Sequence, residues 1–369
     1  MIKSRSVLQK IIGLSWPLII LIIIMASIGF AILYSAAEGS FYPWASKQMI
    51  RFAAFFPVMI LIAIIDIRIW FKAAYIIYFI VLMALVFTEL FGTTSMGATR
   101  WISVGPFNVQ PSELMKVCLV FALAHYFHNI SPVNVGRVTY LIPPLIMVAL
   151  PAGLILKQPD LGTTLIMIAV AGAVFFAAGV KVWKFVLVIV AGIVSTPFLW
   201  MHLHDYQKKR VFGFLDPEGD PMGTGYNILQ SKIAIGSGGF SGKGFLQGTQ
   251  SQLSFLPEKQ TDFIFTMLTE EFGFIGGITV IALYAIILAY GIFIAAISKN
   301  HFGRLMAVGI TSILFFHVFI NIAMVMGMIP VVGAPLPLLS YGGTIMMTIL
   351  LAFGLLLNVS LHSEETFGR

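Results

Sequence analysis

Charge is what this sequence has least of. Of its 369 residues only 10% are Asp, Glu, Lys or Arg, against roughly 25% in a soluble globular domain. With 59% of residues hydrophobic and a mean hydropathy of +0.97, the chain cannot cover its own surface in water. Lipid must be its solvent. Cysteine is nearly absent too: Cys118 stands alone inside an apolar run, which excludes a disulfide framework within the chain. Acidic residues are fewer than basic ones, 15 against 22. The basic residues are scattered among loops, so nucleic acid is not the expected partner; membrane orientation and anionic membrane lipids account for the excess.

What is abundant is apolar sequence. A helix crossing the hydrocarbon core needs about 20 mostly apolar residues, and about ten such stretches occur, at 15–35, 50–67, 73–91, 113–128, 138–157, 161–179, 182–200, 262–296, 304–328 and 343–361. The expected fold is an all-α polytopic membrane protein of about ten transmembrane helices, one domain over 1–369. The first run, Trp16 to Ile32, follows Lys3, Arg5 and Lys10 and is longer than a signal-peptide core, so it reads as a retained signal anchor. The eighth span is long and must tilt or extend past the bilayer. A cytoplasmic N-terminus puts Lys3, Arg5, Lys10, Arg68, Lys72, Arg137, Lys181, Lys184, Lys299, Arg304 and Arg369 inside, as the positive-inside rule requires. Both termini are then cytoplasmic, and 201–261 is one long extracytoplasmic loop between the seventh and eighth helices.

Polar residues in such a chain are costly, so their placement is informative. They gather at the outer ends of the even-numbered helices: Gln110-Pro111-Ser112-Glu113, Gln158-Pro159-Asp160-Leu161-Gly162-Thr163, Gln260-Thr261-Asp262-Phe263 and Ser340-Tyr341-Gly342-Gly343-Thr344. Each is an ordinary helix start taken alone. Four on one face would aim free N–H groups and positive dipole ends at an anion such as a pyrophosphate, although a carrier uses the same device. Arg100 and Lys116 add charge there. Glu113 and Lys116 stand three apart, so they can pair, either to let both enter the membrane or so that Glu113 orients Lys116 toward a phosphate. Glu270 and Glu271 fall about 80° and 180° around the helix from Asp262 and read as buried bundle contacts.

Within 201–261, Gly236-Ser237-Gly238-Gly239-Phe240-Ser241-Gly242-Lys243-Gly244 superficially resembles a phosphate loop. It fails as one: no strand precedes it, and Gly follows Lys243 where Ser or Thr is needed. A tight, glycine-dependent backbone path is the better reading. Asp262 closes the segment at the water–lipid boundary, beside Phe263-Ile264-Phe265, whose apolar side chains would raise its pKa. It can serve as a general base toward a sugar hydroxyl, or cap the eighth helix, or do both.

These motifs, in this order, resemble the SEDS (shape, elongation, division and sporulation) family over nearly the whole length, and its rod-shape (RodA) branch more than its division (FtsW) branch. The resemblance is carried by Gly97-Ala98-Thr99-Arg100-Trp101, Gln110 to Lys116, Gln158 to Thr163, Leu215-Asp216-Pro217-Glu218, Gln230 to Gly239, Leu256-Pro257-Glu258, Thr261 to Phe265, Pro330-Val331-Val332-Gly333, Pro335-Leu336-Pro337 and Ser340 to Gly343. Asp216-Pro217-Glu218 and the approach His204-Asp205-Tyr206-Gln207 favour the elongation branch. Two positions depart: Gln260 stands where many relatives have His, and Ile345 where a small residue is usual.

The resemblance implies a peptidoglycan glycosyltransferase that polymerises lipid II at the outer face of the bacterial cytoplasmic (inner) membrane for cell elongation. Asp262 matches the family's essential loop aspartate, and Arg100, Glu113, Lys116 and Asp160 match polar positions around its substrate cavity. Lys232, Glu258 and Ser340, in the matched motifs, are expected to bind substrate with them. Expected partners are a class B penicillin-binding protein (a transpeptidase), elongation-complex proteins and membrane lipids. The resemblance allows a divalent cation (Mg or Mn), for which the sequence has no ligand cluster; no metal ligand is named. A lipid II flippase or a non-catalytic scaffold of the elongation complex is the alternative.

Overall fold

Ser6 opens the chain's first helix with a reciprocal capping box to Gln9, Asp66 and Asn300 accept backbone N–H groups at two later helix starts, and proline begins two more. In this computed structural model, which describes residues 6–95, 98–104, 107–202, 205–217, 219, 224–249 and 258–366, the elements follow from these signals. They are α1 (Val7–Ile12), α2 (Trp16–Ala36), α3 (Ala45–Ile64), α4 (Ile67–Phe91), β1 (Thr93–Ser95), β2 (Ala98–Val104), β3 (Phe107–Val109), α5 (Pro111–His128), α6 (Val138–Lys157), α7 (Leu161–Ala177) and α8 (Val182–His202). Then come α9 (Asp205–Leu215), α10 (Thr224–Gly238), α11 (Ile264–Ile297), α12 (His301–Val325) and α13 (Gly343–Leu361). Lys3, Arg5, Gly97, His204, Glu218, Leu256, Pro257 and Arg369 lie outside the described residues.

Each of the ten expected spans coincides with a helix. Seven of them, α2, α3, α4, α6, α11, α12 and α13, are long and apolar enough to cross a membrane, while α7 and the apolar part of α8 are shorter. Helix α5 carries Glu113 and Lys116 and is buried almost all round. It packs with α4, α7 and α12, and α12 in turn packs against α7, α11 and α13. The bundle's centre is therefore α5 and α12.

Two features add to the all-α bundle and its long loop. The connection from α4 to α5 is a small antiparallel sheet in the order β1-β2-β3, with Ile102 opposite Val109 and Val104 opposite Phe107; its Thr, Ile and Val residues suit a pleated surface. The 201–261 segment is no open loop where it is described, since it holds α9 and α10. Helix α10 buries Ile228, Ser231 and Ala234 at three-residue spacing and lies along α11. Ser231 Oγ donates to Val325 O at 2.7 Å and is 2.7 Å from Thr266 Oγ1.

The glycine-rich stretch explains the length of α11. That helix is broken at Gly273, where φ is 64° and ψ −158°. A break strands the carbonyls of residues 270 and 271 and the N–H groups of 274 and 275, and buried backbone groups need partners. The 239–244 segment supplies them: Lys243 N and Gly244 N donate to Glu270 O and Glu271 O at 3.1 and 3.0 Å, and Phe274 N and Ile275 N donate to Gly239 O and Phe240 O at 2.9 and 3.2 Å. Gly242 has φ 82°, and a Cβ there would collide with Glu271 O. Only glycine fits. As expected, the stretch is a glycine-dependent backbone path.

Candidate active site

The four polar helix starts meet. Gln110, before α5, donates its N–H to Thr344 Oγ1 on α13 at 3.1 Å and its side-chain Nε2 to Asp160 Oδ2, before α7, at 3.1 Å. Before α11, Thr261 O accepts from Ser340 Oγ at 2.6 Å, and Gln260 O accepts from Tyr341 N at 2.8 Å. Helices joined only through the bundle's interior thus share one polar end. Among the four only Asp160 caps its helix with a side chain, accepting from Thr163 N at 3.2 Å and from Thr163 Oγ1 at 2.9 Å.

Asp262 sits in the turn before α11. The expectation that it caps this helix is corrected: Phe263 holds the N-cap position, and no side chain caps it. Among the described residues no side chain accepts from the first-turn N–H groups of α11, and the carboxylate is turned to the site instead. Its Oδ2 faces the backbone of Gly333 (φ 76°), at 3.4 Å from where a Cβ would stand. A Cβ at 333 would only touch it, and the positive φ is what favours glycine there. Burial, then the charge of Glu258, push the Asp262 carboxyl up to about 6; Arg210 pulls it down and Asp160 raises it further. The pKa is raised, as expected, with burial the largest cause and two acidic neighbours helping. At neutral pH the group is ionised yet holds protons more tightly than an ordinary aspartate, as a general base should.

The other expected residues lie around it in different ways. Glu258, exposed and at φ 55°, accepts from Thr261 Oγ1 at 3.1 Å and from Gln260 Nε2 at 3.3 Å, so Gln260 keeps a hydrogen-bonding role in place of the usual His. Ser340 is buried and works as a clip: besides its bond to Thr261 O it accepts from Leu336 N at 2.7 Å, and its carbonyl accepts from Gln48 Nε2 at 2.9 Å. Arg100, on β2, donates Nε to Gln158 O at 2.9 Å and Nη2 to Pro159 O, tying the sheet to the α6–α7 turn. Lys116 is wholly buried, 2.7 Å from Glu113 Oε1 and 2.6 Å from His317 Nε2. The expected Glu113–Lys116 pair is therefore present, and the ammonium lies within the bundle. Lys232, exposed on α10, crosses Gly327 at the end of α12, away from every described contact of Asp262. Glu270 and Glu271 are buried bundle contacts, bonded to Lys243 and Ser35 respectively.

Several residues escaped the sequence reading. Arg210, on α9, reaches Asp262 with its charge and Val332 O with a 3.4 Å hydrogen bond; within a segment read as loop, it carried no helix periodicity to single it out. Arg51, on α3, lies over the Tyr341 ring at 4.7 Å and against Gly343 at the start of α13. Gln48, one turn before it on α3, donates to Ser340 O and accepts from Gly342 N at 3.3 Å. His317 and Asn321 are buried polar residues in α12, and their cost within an apolar helix was the available signal. Among the described residues no group of three or more His, Cys, Asp or Glu is placed to hold a metal.

Comparison with known proteins places these features in context. A family model described as a cell cycle protein, FTSW_RODA_SPOVE, matches residues 7–365. The peptidoglycan glycosyltransferase MrdB of Escherichia coli K12 is 40% identical over 354 residues, 94% of this chain and 94% of its own. Stage V sporulation protein E of Bacillus subtilis is 37% identical, over 94% of this chain and 97% of its own. A chain from a peptidoglycan synthase complex, described for its structural coordination of polymerization and crosslinking, superposes with a TM-score of 0.83 at 30% identity, covering 94% of this chain and 97% of that one. The rod shape determining protein RodA of Thermus thermophilus superposes with a TM-score of 0.72 at 26% identity, covering 95% and 98%.

Proposed function

The chain belongs to the FtsW/RodA/SpoVE family, the SEDS proteins; it is a multi-pass membrane peptidoglycan glycosyltransferase of the RodA type, serving elongation, and we propose that Asp262 is its catalytic base. The observation that carries this reading is the Asp262 carboxyl, raised to about 6 where the starts of α5, α7, α11 and α13 meet. All ten apolar helices cross the cytoplasmic membrane with both termini inside, so this end of the bundle faces outward, where lipid II is presented.

In the reaction Asp262 takes the proton of the acceptor's GlcNAc 4-hydroxyl. The oxygen attacks the donor MurNAc anomeric carbon from the face opposite the pyrophosphate. The C1–O bond to the pyrophosphate breaks as the new C1–O4 bond forms, so the α-linked donor becomes a β-1,4 glycoside. Undecaprenyl pyrophosphate leaves with the electron pair. Arg210, Arg51 and the first-turn N–H groups of α11 and α13, which no side chain caps among the described residues, meet its charge, and preorganised donors act most strongly where charge develops. Arg100, Glu113, Lys116 and Asp160 hold the frame, with Arg100 and Asp160 tying β2 and α5 to the α6–α7 turn. Glu258 and Ser340 fix the turn that carries Asp262. The partner is a class B penicillin-binding protein, which crosslinks the glycan this chain makes; the likeness to a chain of a peptidoglycan synthase complex supports it.

Purified protein given labelled lipid II, with and without that partner, tests the reading. Glycan polymer from wild type and none from Asp262→Asn is expected. Equal polymer from both would remove Asp262 from the chemistry, and none from either would favour a flippase or a scaffold.

A further inference from the structure

Asn321 is buried completely in α12, where an amide has no reason to be unless the fold uses it. Its Nδ2 donates to two backbone carbonyls, Asp262 O at 2.9 Å and Ala334 O at 2.7 Å. The orientation is set by those partners: turned over, its Oδ1 would face two carbonyl oxygens. The Oδ1 itself meets no partner among the described residues, so the side chain is held for its two donated protons alone.

The carbonyls belong to the two walls of the site. One is the peptide of Asp262 itself. The other lies in the non-helical segment between α12 and α13, whose Gly333 backbone faces the Asp262 carboxylate. One turn earlier on α12, His317 holds the adjoining residue. An ammonium can only donate, so His317 Nε2 accepts from Lys116 at 2.6 Å; its proton is therefore on Nδ1, which donates to Pro335 O at 3.3 Å. Residues four apart share a helix face, and α12 thus pins two consecutive carbonyls of the segment and the Asp262 peptide from one face.

We propose that Asn321 is a positioning residue for glycosyl transfer: its carboxamide clamps the Asp262 peptide to the 334–335 backbone and so fixes where the carboxylate stands. The proposal rests on the reading of Asp262 as base. Neither aspartate nor leucine can replace the asparagine, because a carboxylate would repel both carbonyls and an isobutyl group would leave both unpaired. Serine fits the space and can donate once. Displacement of a catalytic group by about 1 Å lowers turnover on the order of a hundredfold. The clamp also holds the carboxylate among Glu258 of its own turn, Arg210 of α9 and Asp160 before α7; released, it reaches more water.

The test uses the full-length protein with its transpeptidase partner and labelled lipid II, comparing wild type, Asn321→Leu, Asn321→Ser and Asp262→Asn for kcat, KM, the pH profile of kcat and thermal unfolding. The expected result is a fall in kcat on the order of a hundredfold for Asn321→Leu and a smaller fall for Asn321→Ser. In both, KM for lipid II stays within about twofold and the acid limb moves toward the ordinary carboxylate range. Folded Asn321 variants with wild-type kcat and acid limb, beside an inactive Asp262→Asn, would overturn the clamp and leave the base reading standing. An active Asp262→Asn would overturn both. A rise in KM without a fall in kcat would show a role in substrate binding, unfolding of both Asn321 variants a purely structural one, and either would overturn the clamp as well.

Discussion

Replacing Asp262 by Asn should move activity and stability in opposite directions. The carboxyl is raised from 3.8 to about 6 in the folded protein, which at 1.36 kcal/mol per unit means the folded state is about 3 kcal/mol less favourable with the group ionised. The sign follows from linkage. Above pH 6 the aspartate is ionised in both states and the full penalty applies; between pH 6 and about 4 the folded state takes up a proton first and gains stability; below about 4 both are protonated and the penalty is gone. Asparagine has the shape of the neutral acid at every pH. The variant should therefore unfold later than wild type at pH 7.5, by up to about 3 kcal/mol, with the difference vanishing near pH 4. Partial access of Asp262 to solvent makes this an upper bound. Loss of a general base costs turnover about 10²- to 10⁴-fold. Thermal unfolding in nanodiscs across pH 4 to 8, paired with a lipid II polymerisation assay, reads both effects. A variant less stable than wild type at pH 7.5 would falsify the electrostatic reasoning, since it would mean the ionised carboxylate is held by favourable contacts.

The wild-type enzyme should lose kcat about tenfold per pH unit below an acid limb near pH 6; a limb near pH 4 would mean the base titrates as an unburied carboxylate. Lys116→Met strands Glu113 in the bundle and should cost about 3–5 kcal/mol, most of it recovered in the double variant with Glu113→Gln; equal stabilities of the two variants by denaturant unfolding would count against a buried ion pair. Gly242→Ala forces a Cβ into Glu271 O at φ 82°. It should cost on the order of 1–3 kcal/mol and speed hydrogen exchange at Phe274 and Ile275, whereas unchanged exchange there would show that the splice across the Gly273 break does not depend on this glycine.

Lipid as solvent, helix as the element and the approximate limits of each span could be read from composition and run length, because a membrane allows few backbone solutions and each needs a long apolar stretch. Asp262, Asp160 and the Glu113–Lys116 pair were legible for the same reason: polarity in such a setting is costly and stands out. The α4–α5 sheet and helix α10 were not, since Thr-rich and small-residue segments carry weak periodic signals and gain their structure from the surface they pack on. Arg210, Arg51 and Gln48 look like ordinary interfacial residues until α9 and α3 bring them to the helix starts.

The local order of residues settled where polarity would concentrate and which carboxylate stood at a helix start beside apolar neighbours. Only the tertiary structure decided what that carboxylate faces. Its proton affinity is set first by burial and then by Glu258, Arg210 and Asp160, and its peptide is held by Asn321, 59 residues later in the chain. Electric fields and buried hydrogen bonds depend on distance through space, and no pattern along a single chain contains that distance.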